Sequence, residues 1–245
     1  MTMECKSMRS IIHKGIKIQY LLQRKNVKNI NLRIRMDSSI YVSANPEINE
    51  EKIDEFVVTK GDYILSSLQR FKEIEKYRPL PKQYVSGETF YILGRGLRLK
   101  VSESSKESVF SDGVYLFLMV KDKNDSNRKQ YLITRYLNKE CRDIFNKIVL
   151  EIYSLFQKYG VDMPSLRIRD MKTRWGSCVS DKGVITLNKQ LLGAPRNCIE
   201  YVILHEFCHF IQPNHSKKFY NLITMLMPDW QERKRILDQE LVYRL

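Results

Sequence analysis

Three of the four histidines in this 245-residue chain fall between positions 205 and 215, and this cluster constrains the fold more than any other feature. The segment opens with the pattern H-E-x-x-H at His205 and ends at His215. The surrounding residues are apolar on nearly every face of a helix, which is typical of a buried helix. These apolar positions are Cys198, Ile199, Val202, Ile203, Leu204, Phe207, Phe210 and Ile211. Burying two imidazoles and a carboxylate without a partner costs on the order of several kcal/mol, so we expect something to bind them.

A zinc ion is the partner that this spacing predicts. Residues four apart on a helix lie about 6 Å apart, so His205 and His209 can share one tetrahedral ion. Glu206 is rotated by about 100° from His205 and can lie beside the ion without binding it. Pro213 cannot continue a helix, and the chain can then turn back to present His215 as the third ligand. Three protein nitrogens plus one water make an open, catalytic zinc site.

This arrangement predicts hydrolysis by a zinc-activated water. Zinc lowers the pKa of its water to about 7 and polarises a carbonyl group. Glu206 would accept the proton of that water as general base and pass it to the leaving amine. The sequence therefore predicts a zinc-dependent metallohydrolase, most simply a metalloendopeptidase-like peptidase that acts on peptides or proteins.

Other interpretations of the same residues remain open. Two core histidines satisfied by hydrogen bonds would need no metal. A purely structural zinc could use Cys208 as a fourth ligand, although Cys208 is turned about 60° to the other side of His205. Many H-E-x-x-H enzymes use a downstream glutamate as third ligand, and Glu232 or Glu240 could take that place. His215 is favoured because its loop is short.

The rest of the chain predicts an α+β fold in two parts. Residues 1–128 show strand-like alternation and two helical stripes, so we expect an antiparallel β-rich region with two helices. Residues 129–245 begin with a long helical stripe and continue through a β-hairpin to the histidine-bearing helix. This second part is the expected metallopeptidase domain.

Short local signals place several turns and helix ends. Asn49 and Ser216 are expected to cap the helices that follow them. The pair Gly94 and Gly96 lacks the third glycine of a phosphate loop, so a tight hairpin turn is predicted there. Gly160 is expected to end the long helix.

Composition narrows the environment and the partners. The net charge of +14 is typical of a solvated basic surface or of a protein that binds nucleic acid non-specifically. The five cysteines form no C-x-x-C pair, and neither a signal peptide nor a bilayer-spanning run is visible. We therefore expect reduced thiols, a cytoplasmic location and no membrane partner. The alternative function is a nucleic-acid-associated metal-binding protein, or a DNA-recruited protease, with weak or no turnover.

Three stretches of the chain resemble the YgjP-like metallopeptidase family, a group within the H-E-x-x-H zincins. They are Arg174-Trp175-Gly176-Ser177-Cys178 with Gly183, Ile185, Leu187 and Asn188; Tyr201-Val202 with His205-Glu206-Phe207-Cys208-His209; and Asn214-His215-Ser216 with Phe219 and Pro228-Asp229-Trp230. The resemblance implies a zincin-like domain, a three-histidine zinc site with Glu206 as catalyst, and a distant relationship to SprT-like proteases. The spacing of the histidines also matches the metzincin pattern, but Gln212 replaces a glycine there, so metzincin substrate rules do not transfer.

Three neighbours of the cluster have roles that the sequence leaves open. Trp175 is expected either to form a wall of the substrate cleft or to pack in the core. Arg174 and Tyr220 are candidates for stabilising the oxyanion.

Overall fold

The computed structural model describes residues 6–35, 37–76, 81–171 and 174–239. The chain divides into two compact units, residues 1–78 and 79–245. The described residues form a mixed α+β structure with three small sheets and six α-helices. The predicted α+β class is confirmed, whereas the expected functional division at residue 128 stays a prediction.

The first unit contains a four-stranded sheet. Its strands, in the spatial order β1-β2-β4-β3, are β1 (Lys6–His13), β2 (Ile16–Arg24), β3 (Asn31–Ile34) and β4 (Ile40–Ala44). The pairs β1–β2 and β3–β4 are antiparallel, but β2 and β4 are parallel, so the sheet is mixed and not purely antiparallel as expected. The alternation of apolar residues shows which face of a strand is buried, but not in which direction the strand runs. The sequence therefore could not distinguish parallel from antiparallel pairing.

Two helices cover the buried face of this sheet. They are α1 (Glu50–Thr59) and α2 (Gly61–Lys76). Asn49 caps α1 as predicted, because its side chain accepts a hydrogen bond from the backbone N–H of Lys52 at 3.1 Å. Asp54 on α1 accepts hydrogen bonds from Arg9 and from the hydroxyl of Tyr20, which ties this helix to β1 and β2.

The second unit begins with another four-stranded sheet and a long helix. The strands, in the order β5-β6-β8-β7, are β5 (Thr89–Ile92), β6 (Arg95–Glu103), β7 (Ser108–Ser111) and β8 (Tyr115–Val120). The predicted turn at Gly94 joins β5 to β6. Helix α3 (Ser126–Phe156) packs its first turns on this sheet through Leu132 and Ile133, and Gly160 follows its end with a φ of 72°, as expected.

The remaining elements pack around the second half of α3. A three-stranded sheet in the order β10-β11-β9 contains β9 (Ser165–Arg169), β10 (Gly176–Val179) and β11 (Val184–Asn188). Three helices follow: α4 (Arg196–Cys208), α5 (Lys217–Leu226) and α6 (Trp230–Gln239). Apolar residues of α3, β11, α4, α5 and α6 form one continuous core. Helix α4, which contains His205 and is followed directly by His209, crosses that core.

Two further expectations concern cysteines and membranes. No disulfide joins the four described cysteines, and Cys5 lies outside the described residues. None of the described helices combines the length and the apolar character that crossing a membrane requires.

Candidate metal centre

Helix α4 brings His205 and His209 to the same side of the second unit. The helix ends at Cys208, earlier than Pro213, because the next turns tighten: the N–H of Phe210 donates to the carbonyl of Phe207. His209 nevertheless keeps helical angles, with φ −67° and ψ −19°. The helical spacing between the two imidazoles is therefore preserved beyond the formal end of the helix.

The loop after α4 returns His215 to the other two histidines. The Nε2 atoms of His215 and His205 are 2.9 Å apart, and one ring nitrogen from each of the three residues lies within 4.8 Å of the others. His205 and His209 are partly buried, whereas His215 is exposed. The structure thus brings the three predicted ligands together at one solvent-facing point.

The electrostatics of the cluster favour neutral imidazoles. Burial, reinforced by His209 and His215, lowers the pKa of His205 to about 3. Burial also lowers the pKa of His209, and the nearby His215 acts in the same direction. A neutral imidazole offers a lone pair to a metal ion, so the donor set fits one divalent cation.

Glu206 lies beside the histidines and is almost completely buried, with 5% of its surface exposed. Burial raises the pKa of its carboxyl group to about 8, and the positive charge of Arg174 opposes that rise. A divalent cation held by the histidines would lower this pKa in the same sense as Arg174. Burial thus favours the protonated carboxyl group, and a neighbouring positive charge shifts the balance toward the carboxylate.

Strand β10 and the residues before it form one wall of a cleft of about 510 Å³ over the cluster. Trp175, Gly176 and Cys178 line this cleft together with Glu206. Trp175 also packs against the main core, as one of its two expected roles required, whereas its role toward a substrate stays a prediction. Burial raises the pKa of Cys178 to about 12, which keeps this thiol neutral.

A buried asparagine holds the segment that precedes β10. The side-chain amide of Asn188 donates to the carbonyl oxygens of Met171, at 2.8 Å, and Arg174, at 3.1 Å. Its backbone N–H donates to the carbonyl of Trp175 at 2.8 Å. Asn188 is 2% exposed and is the residue that shapes this wall of the cleft.

The alternative ligands lie elsewhere. Glu232 pairs with Arg235 on α6 at 2.8 Å and does not line the cleft, and Glu240 lies outside the described residues. Cys208 is fully buried, is not among the cleft residues, and has a pKa raised to about 12 by burial. Tyr220 stacks on His215 and does not line the cleft, whereas Arg174 does.

Sequence reasoning missed two residues that contact this site or its wall. The sequence predicted no contact of Phe219 with the cluster, yet its ring contacts all three imidazoles. Asn188 was quoted only in a resemblance. The position of Phe219 in the first turn after the Ser216 cap, close in sequence to His215, is a signal that could have revealed its place near that histidine.

Comparison with known families decides the affiliation. A family model described as "YgjP-like, metallopeptidase domain" matches residues 28–240. The chain belongs to the YgjP-like family. Membership in the YgjP-like metallopeptidases implies a metal ion and a peptide or protein substrate, and it confirms the resemblance that the motifs indicate.

Two other comparisons add little. No curated protein gives a significant match to the chain. Among solved structures, the chain is similar to the metallopeptidase zymogen of Methanocaldococcus jannaschii, jannalysin, with 24% sequence identity over 41% of this chain and 96% of that chain, at a TM-score of 0.33.

Proposed function

We propose that this YgjP-like protein is a zinc-dependent peptidase in which His205, His209 and His215 hold the ion and Glu206 is the general base. The observation that carries the proposal is the meeting of three ring nitrogens within 4.8 Å beside a buried carboxyl group. Imidazole nitrogens are preferred zinc ligands, and three of them leave one position for water or substrate.

Glu206 and Arg174 have different roles in the proposed hydrolysis. A zinc ion supplies Lewis acidity and a water of lowered pKa when it is bound. Glu206 accepts the proton of the attacking water on its carboxylate and delivers it to the nitrogen of the leaving amine. Arg174 favours the ionised, proton-accepting form of Glu206, since its charge lowers the pKa of that carboxyl group.

We also propose that the substrate is an extended segment within a protein chain, as in an endopeptidase. Strand β10 is the outer strand of its sheet in the described part of the chain, and it lines the cleft. An outer strand offers backbone hydrogen-bonding groups to an extended peptide, with Trp175 as a wall beside it.

The proposal is tested by zinc content and hydrolysis of an unfolded protein, with Glu206→Gln as the paired variant. Both proteins should bind zinc, and only the unmodified one should hydrolyse the substrate. Loss of the general base should reduce kcat by about 100-fold or more. Hydrolysis by Glu206→Gln at an undiminished rate would refute the assigned mechanism.

Binding to nucleic acid stays a prediction from the net charge of +14. It requires that affinity for DNA fall steeply as the salt concentration rises. An absence of binding at low salt would dismiss it.

A further inference from the structure

The ring of Phe219 lies against all three histidines of the cluster. Its centroid is 5.0 Å from that of His205, 4.8 Å from that of His209 and 4.7 Å from that of His215. It meets His205 and His215 edge-on, at 71° and 78°, and lies more nearly parallel to His209, at 31°. These distances are those of favourable aromatic contacts.

Phe219 is itself held firmly in place. It is 0% exposed and belongs to the main core of the second unit. Its backbone N–H donates to the side chain of Ser216, the capping residue of α5, at 3.4 Å. Because Ser216 directly follows His215, the same cap ties the phenyl ring to the loop that presents the third histidine.

No hydrogen bond orients the imidazole of His205 through its second ring nitrogen in the described part of the chain. A metal-binding histidine is usually held by a hydrogen bond from its second ring nitrogen. Among the described residues, the buried Nδ1 of His205 has no such partner, whereas His209 is hydrogen-bonded to the backbone of Gln212, at 3.3 Å from its Nδ1, and of Pro213. The second torsion of a histidine side chain is broad, so packing must fix the rings where hydrogen bonds do not.

Other aromatic neighbours reach one histidine each. Tyr201 contacts His205 at 5.9 Å, and Tyr220 contacts His215 at 6.2 Å. Phe219 differs because its single rigid ring contacts all three histidines.

We propose that Phe219 is a positioning residue that holds the three imidazoles in the orientation that binds the metal ion. The inference rests on the proposed function, since it requires that the histidines bind zinc. Phe219 touches no substrate and takes no part in proton transfer. Phe219 orients the imidazoles before the metal ion binds, so replacing it should change the affinity for that ion.

The chain offers a matched control in Phe207. This residue is also 0% exposed and belongs to the same core, but its ring contacts Tyr153, Phe156 and Phe210, and in the described part of the chain it makes no ring contact with a histidine of the cluster. Phe219→Leu and Phe207→Leu therefore remove the same atoms from the same core.

The test measures zinc affinity by competition with a chromophoric chelator, and the unfolding midpoint of each metal-free protein. We expect Phe219→Leu to weaken zinc binding by roughly 10-fold or more, as is common when the support of a metal ligand is removed. Phe207→Leu should lower the unfolding midpoint similarly and leave zinc affinity unchanged. If Phe219→Leu does not fold, Phe219→Met and Phe207→Met replace the pair.

The outcomes separate this inference from the proposed function. Equal zinc affinity in all three proteins, or an equal loss in both variants, overturns the role of Phe219 while the zinc site stands. Failure of the unmodified protein to bind zinc overturns both.

Discussion

Gly176 lies directly against the carboxyl group of Glu206. A Cβ atom at Gly176 would be 2.7 Å from Oε1 and 3.0 Å from Cγ of Glu206, and 3.0 Å from Cγ1 of Val202. Real Cβ atoms do not approach other atoms as closely as 2.7 Å. The absence of a side chain at Gly176 thus leaves the space in which the proposed general base lies.

We predict that Gly176→Ala will displace Glu206 and impair catalysis more than metal binding. A displacement of about 1 Å in a catalytic group can cost roughly 100-fold in rate. Steady-state hydrolysis of an unfolded protein should show a reduced kcat, while the zinc content stays at that of the unmodified protein.

Gly96→Ala is the control for this substitution. Gly96 is also a strand glycine, but a Cβ there would meet side-chain atoms of Thr89 and Tyr91, and it does not line the cleft. Its activity should match that of the unmodified protein. Undiminished kcat in Gly176→Ala would show that the carboxyl group adapts and that the close approach is incidental.

The third ligand can be identified by comparing His215→Ala with Glu232→Ala. His215 lies 2.9 Å from His205 through their Nε2 atoms, whereas Glu232 is paired with Arg235 on α6. Removing His215 should therefore weaken zinc binding by orders of magnitude, and removing Glu232 should leave it unchanged. Equilibrium dialysis against zinc measures both, and the opposite ranking would assign the third position to the glutamate.

The buried carboxyl group predicts a pH-dependent stability in the metal-free protein. Burial raises the pKa of Glu206 from 4.5 to about 8, so between these values the folded state binds more protons than the unfolded state. Its contribution to the free energy of unfolding must then decrease as the pH rises from about 4.5 to 8. Glu206→Gln lacks this titration and should gain stability relative to the unmodified protein over that range.

Urea unfolding in the presence of a chelator, at pH 5 and pH 8, measures the difference. Comparing the two proteins cancels the contributions of His205 and His209, whose depressed pKa values make stability rise with pH below about 6.5. Parallel stability profiles for the two proteins would mean that Glu206 keeps an ordinary pKa in the folded state.

Asn188 should be important for stability as well as for the shape of the cleft. Asn188→Ala removes the donor from the carbonyl groups of Met171 and Arg174, and the loss of a hydrogen bond costs about 0.5–1.5 kcal/mol for each bond. Urea unfolding should detect this loss, while alanine at the exposed Asn124 should change stability by less than about 0.5 kcal/mol. A neutral Asn188→Ala would show that the segment before β10 is held by other contacts.

The most accurate predictions from the sequence concern features that depend on residues close together in the chain. The capping roles of Asn49 and Ser216 depend on residues only three positions away, and both are confirmed. The spacing of His205 and His209 likewise depends only on the periodicity of one helix. The direction of β4 relative to β2 depends on the path of the whole chain, so the alternation of apolar residues could not determine it.

Contacts between distant segments account for the rest of the site. Gly176 and Glu206 are thirty positions apart, and only the folding of β10 over α4 brings them together. Asn188 looked like an ordinary polar residue at the end of a strand, because its carbonyl partners lie on another segment. Residue types and spacing therefore predicted the candidate ligands, while the surroundings that orient them required the structure.

X-ray absorption spectroscopy of the zinc-loaded protein tests the central claim most directly. The claim is that three imidazoles hold one ion and leave a position open. The zinc edge should then show three imidazole nitrogens and one further oxygen at about 2.0–2.1 Å. A sulfur ligand at about 2.3 Å, or a shell closed by four protein ligands, would contradict the account.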